Sequence, residues 1–228
     1  MDSYLISYGL TFLALIIAVG AQIYVNYTSN KYRDVRNARR TTGGEAARQI
    51  LDKNGLQNVK INVIPGRMTD NYSPRTKTVN LSQENFEGDD ITAVSVACHE
   101  CGHAIQHKVH YPFMKVRSSI FPFFSLSTKI GYFAILIGCI FGWLGLIWIG
   151  ILAECVVLLF QLVTLPIEFD ASRRALKEID YAHFFNSKEL KKGKSVLNAA
   201  AMTYVASVAS SVIEILRLLL MVNNRRDD

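Results

Sequence analysis

The chain has 228 residues, a formal net charge of +6, 50% hydrophobic residues and only 19% charged ones. That length admits one domain of ordinary size plus membrane spans, and the gathering of apolar residues into long blocks argues against a purely soluble protein. Basic residues stand beside those blocks, which fits a membrane flank better than a nucleic-acid groove, and no P-loop, dinucleotide fingerprint, internal repeat or low-complexity tract is present.

From Ser3 to Asn30 no residue is charged, and Leu5–Val25 is long enough to cross a bilayer as a helix. A signal peptide would place its cleavage site at Val19-Gly20-Ala21. The leading residues carry Asp2 and no Lys or Arg, so residues 1–30 read as an uncleaved anchor. Lys31, Arg33, Arg36, Arg39 and Arg40 follow. By the positive-inside rule they lie in the cytoplasm and the N-terminus faces out. Residues 31–117 have the composition of a soluble cytoplasmic region. Thr41–Gly44 reads as a loop, and a helix runs from Glu45 to Lys53. Val59–Ile64 and Thr76–Leu81 alternate as strands, with Asn71–Arg75 as the turn between them.

The most informative stretch is His99-Glu100-Cys101-Gly102-His103. Four residues of α-helix turn through about 400°, so both imidazoles leave one face, one turn apart. Such a pair can hold Zn²⁺, and the glutamate beside it can act as general base. Asp89 and Asp90 precede the apolar run Ile91–Ala97, where carboxylates favour a helix N-terminus. Gly102 lowers helix propensity and leaves room for a metal or for close backbone packing.

A third ligand is required. His107 lies eight residues beyond His99, about 12 Å along the helix, too far for metal bonds of about 2 Å. Gln106 and Val109 stand where a metzincin would carry glycine and histidine. Glu168, in Leu165-Pro166-Ile167-Glu168, is the favoured ligand, placed in the first turn of a helix that begins after Pro166; Asp170 is the alternative. Of the four cysteines, Cys139 and Cys155 lie in apolar runs. Cys98 and Cys101 form a CxxC without the second pair of a zinc ribbon or the following histidine of a haem site. Two free thiols there fit a reducing compartment.

Residues 118–167 contain only Lys129 and Glu154 as charges and read as a transmembrane hairpin, with spans near Pro122–Phe141 and Leu146–Leu165 and a turn at Gly142–Gly145. Two crossings return the chain to the side it left, as a site shared by His99, His103 and Glu168 demands. Residues 168–194 are again basic and cytoplasmic. Residues 195–228 form the last transmembrane helix and a tail. Its small residues suit close packing, and Glu214 can pair with Arg217 three positions on. The expected fold class is therefore a mostly α membrane protein with about four transmembrane helices and a small α+β, zincin-like catalytic region.

Four blocks carry a family likeness. Asp70–Lys77 followed by Val79–Ser82, His99–His107, Leu165–Arg174 and Ala199–Ala206 resemble the corresponding segments of the YugP-like bacterial membrane zinc metallopeptidases. The likeness covers nearly the whole chain. It implies a neutral zinc peptidase in the bacterial plasma membrane. More distantly the layout is similar to HtpX- and Ste24-type gluzincins, in which an aspartate commonly stands four positions after the ligand glutamate; here that position is Ser172 and the nearby acid is Asp170.

Together these readings make His99, His103 and Glu168 the expected zinc ligands and Glu100 the general base. Tyr72, Arg173 and His183 are the candidate oxyanion donors. A peptide or membrane-protein substrate would lie along a sheet edge, with the strand near Thr76–Leu81 as the candidate. The bilayer is the expected surrounding, nucleic acid is not an expected partner, and no protein partner is indicated. The competing readings are a zinc amidohydrolase with a non-peptide substrate, a non-catalytic zinc-containing membrane adaptor, and a basic scaffold binding anionic lipid, whose basic residues topology explains equally well.

Overall fold

A computed structural model describes residues 2–224. The elements in chain order are α1 (Asp2–Arg33), α2 (Gly43–Lys53), β1 (Lys60–Ile64), β2 (Asn71–Ser73), β3 (Thr78–Ser82), α3 (Gln83–Glu87), α4 (Ile91–Lys108), α5 (Pro112–Phe141), α6 (Leu144–Tyr181) and α7 (Ser187–Asn224). Helices α1, α5, α6 and α7 are long and apolar enough to cross a membrane. Among the described residues the protein is thus mostly helical, with four candidate spans and one small sheet.

The apolar unit comprises Lys115–Leu165, α1 up to Gln22 and α7 from Thr203. Ile147, Ile151, Leu218 and Val222 are buried together. Leu15, Phe123, Leu152 and Leu216 stay exposed, as side chains facing lipid should. Gly142 turns α5 into α6 at φ 68, a left-handed conformation that glycine adopts without steric penalty. Arg217 donates to both carboxylate oxygens of Glu214, Nε at 2.8 Å, so the expected pair forms.

The polar unit comprises Ile23–Met114 and Pro166–Met202. Its core gathers around α4. Ile91, Val94, Ala97, Cys98, Cys101, Ala104 and Ile105 of α4 join Ile50 and Leu51 of α2, Val79 and Leu81 of β3, and Ala175 and Ile179 of α6. Each fully buried aliphatic side chain contributes about 1.5–3 kcal/mol relative to exposure. The start of α4 is tied to the segment after α1: Arg36 and Arg40 pair with Asp89, and the Ile91 N–H donates to the Val35 carbonyl at 2.9 Å.

Three expectations are corrected. The turn expected at Asn71–Arg75 contains a strand, because Asn71–Ser73 pairs antiparallel with β3, Tyr72 opposite Val79. Strand β3, expected as a sheet edge, is central: the order is β1-β3-β2, with β1 parallel to it on the other side. Its residues are almost all buried, so both of its faces are covered. Finally, the helix expected to start just after Pro166 starts earlier. Helix α6 runs unbroken from Leu144 to Tyr181 with Pro166 inside it. Proline removes one N–H from the ladder, and a packed helix tolerates that loss.

Candidate metal centre

Helix α4 begins where the Asp90 side chain accepts from the Ala93 N–H at 2.8 Å, the N-cap that the paired aspartates suggested. Beyond this cap lie two turns of small and branched apolar residues that hold the helix in the core. They present His99 and His103 together toward α6. The rings stand edge to face, centroids 4.7 Å apart. Gly102 permits the approach: a Cβ there would lie 2.5 Å from the Ala171 carbonyl oxygen of α6. The glycine serves close helix packing.

Helix α6 supplies the carboxylate. Glu168 Oε2 lies 3.2 Å from His99 Nε2 and 3.5 Å from His103 Nε2. One ligand atom from each of the three residues falls within 4.8 Å of the others. Two imidazoles and one carboxylate oxygen are a donor set suited to Zn²⁺, leaving a fourth position open. Asp170, the alternative ligand, is engaged elsewhere. It accepts from Arg173, Arg174 and Gln106.

The outer nitrogens of both imidazoles have partners. His103 Nδ1 lies 2.9 Å from Gln106 Oε1. Ser172 Oγ lies 3.2 Å from His99 Nδ1. Both Nε2 atoms are thereby turned to Glu168. The Ser172 contact was not legible in the sequence, because it joins α4 to α6 across 73 positions; Gln106 lies three positions after His103 on the same helix and went unread.

The electrostatics follow from burial. Glu168 is 4% exposed. Burial alone would raise its pKa, but hydrogen bonds from His103 and His99 outweigh it and hold the carboxyl well below its usual range. Burial opposes the charged form of His103 as well. The Glu168 contact prevails and raises it to about 9. Glu100, beside His99 and also buried, is raised by desolvation, with the two histidines pulling it back and Glu168 and Asp70 adding to the rise. A raised carboxyl beside three groups that could hold a metal is suited to accepting and returning a proton. Asp170 is held low: burial would raise it, and Arg174, Gln106 and Arg173 overcome that. Cys98 and Cys101 are free, and burial pushes both thiols up, which makes them poor ligands and poor nucleophiles.

The remaining candidates are dispersed. Tyr72 on β2 directs its hydroxyl to His107 Nδ1 at 2.8 Å. Arg173 is occupied with Asp170, and His183 is exposed in the turn after α6.

Residues 7–223 match the protein family described as "Putative neutral zinc metallopeptidase". The chain is 40% identical over 219 residues to a Bacillus subtilis protein named "Putative membrane protease YugP", covering 96% of this chain and 97% of that one. No solved structure matches.

Proposed function

Since the chain belongs to the neutral zinc metallopeptidase family, we propose that it is a membrane-embedded peptidase that hydrolyses peptide bonds near the cytoplasmic surface of a bacterial plasma membrane. His99, His103 and Glu168 hold the zinc and Glu100 is the general base. The observation that carries this reading is the meeting of three side chains from two distant parts of the sequence, with both Nε2 atoms within 3.5 Å of one carboxylate oxygen.

Zinc, when bound, supplies Lewis acidity toward a carbonyl and lowers the pKa of water toward about 7. Glu100 takes a proton from the attacking water and passes it to the departing amine, the exchange for which its raised pKa suits it. The buried walls around Glu168 and Glu100 exclude bulk solvent and strengthen these interactions. An extended peptide lies along β2, the edge of the sheet whose Tyr72 reaches α4 through His107. The basic stretches Lys31–Arg40 and Lys188–Lys194 support a cytoplasmic site.

The test is Glu100→Gln in the purified full-length protein. Zinc content should equal that of wild type, while cleavage of an unfolded casein-type substrate should fall about 10²–10⁴-fold, the usual contribution of a general base. Undiminished cleavage would refute the assignment.

A further inference from the structure

Resting on that reading, we infer that Gln106 is a positioning residue that fixes which nitrogen of His103 faces the metal, with the Ile167 carbonyl and Asp170 fixing Gln106 in turn. Gln106 is fully buried on α4, three residues after His103. Its amide makes three hydrogen bonds. Nε2 donates to the Ile167 carbonyl at 2.8 Å and to Asp170 Oδ2 at 3.0 Å, and Oε1 lies 2.9 Å from His103 Nδ1.

The proton positions follow from donor chemistry. A backbone carbonyl can only accept, and an ionised carboxylate can only accept. The amide atom facing Ile167 and Asp170 must therefore be the NH₂ group. Its oxygen then faces His103 and can only accept, so His103 Nδ1 must carry the hydrogen. That leaves the lone pair of neutral His103 on Nε2, the atom turned to Glu168. Arg173 holds Asp170 through Oδ1, and Arg174 shares Oδ2 with Gln106. One chain of contacts thus runs from the turn of α6 that bears Glu168 back to His103.

His99 is held differently. Ser172 Oγ can donate or accept, so its 3.2 Å contact with His99 Nδ1 imposes no tautomer. The two histidines therefore depend unequally on their supports. Loss of Gln106 removes a determined acceptor, whereas loss of Ser172 removes an adaptable one.

The experiment measures zinc affinity of the full-length protein in detergent by chelator competition, for wild type, Gln106→Met and Ser172→Ala. Gln106→Met keeps side-chain length and should bind zinc about 10–100-fold more weakly, the usual effect of losing such a support. Ser172→Ala should lose clearly less. Equal affinity of wild type and Gln106→Met, or a larger loss in Ser172→Ala, would overturn the inference. If Gln106→Met does not fold, ¹⁵N NMR of histidine-labelled, zinc-loaded wild type decides. A directly bonded proton on His103 Nδ1 is expected, and zinc ligation through Nδ1 would overturn the assignment. Failure of wild type to bind zinc at all would instead refute the metal centre itself, so the two failures are distinguishable.

Discussion

A heavy electrostatic demand falls on Glu168, a carboxylate that is 4% exposed and faces two imidazoles. In the metal-free protein His103 answers that demand by holding a proton up to about pH 9. Because its pKa is raised, the pairing stabilises fully below the ordinary histidine value of about 6.5 and is lost as pH rises through about 9. Zinc must displace this proton. Apparent zinc affinity should therefore rise about tenfold per pH unit between 7 and 9, measured by chelator competition, and Glu168→Gln should abolish that slope. A flat profile in wild type would contradict the linkage. At the same scale, Cys98 and Cys101 should resist an aromatic disulfide reagent in the folded protein and react once it is unfolded, since both thiols are buried and raised. The pair His99 and His103 was legible because a spacing of four on a helix is a local rule. Gln106 was not: its partners Ile167 and Asp170 lie 61 and 64 positions away, and only the packing of α4 on α6 creates the contact.

At the scale of elements, the approach of α4 to α6 through Gly102 sets the ligand geometry. Gly102→Ala places a Cβ 2.5 Å from a backbone oxygen, with no flexible side chain to yield. It should cost about 1–3 kcal/mol through overpacking and lower both thermal stability and zinc retention. Gly145→Ala, where nothing lies within 4 Å, serves as the control and should change neither. Equal behaviour of the two variants would show that this contact does not position the site. The N-terminus of α4 was legible from Asp90, a strong local cap, and β1 and β3 from their alternation. Strand β2 was hidden because three residues beside Pro74 carry more turn chemistry than strand pattern, and its partner β3 supplies the pairing. The start expected after Pro166 failed for a related reason. Proline is common at the first helical position, but its local preference yields where the helix continues on both sides of it.

For the whole molecule, the four candidate spans and the two basic stretches require a defined topology. Single cysteines at Lys192 and Gln57, in a background lacking exposed Cys155, should react with a membrane-impermeant maleimide in inverted membrane vesicles and not in intact cells. The opposite pattern would move the polar unit outside. Arg36 and Arg40 illustrate how topology and folding share residues: they are part of the positive flank and also pair with Asp89 at the head of α4. The two candidate spans between His103 and Glu168 were legible from the apolar run 118–167, whereas the pairing of Asp89 with those arginines was not, because charge counting does not reveal partners.

The most direct test of the metal centre is X-ray absorption at the zinc edge on purified full-length protein, with metal content measured alongside. One zinc per chain is expected, bound by two imidazole nitrogens at about 2.0–2.1 Å and by carboxylate oxygen at about 2.0–2.2 Å, with occupancy falling in Glu168→Ala. Sulfur neighbours at about 2.3 Å, or an unchanged zinc signal in Glu168→Ala, would contradict it.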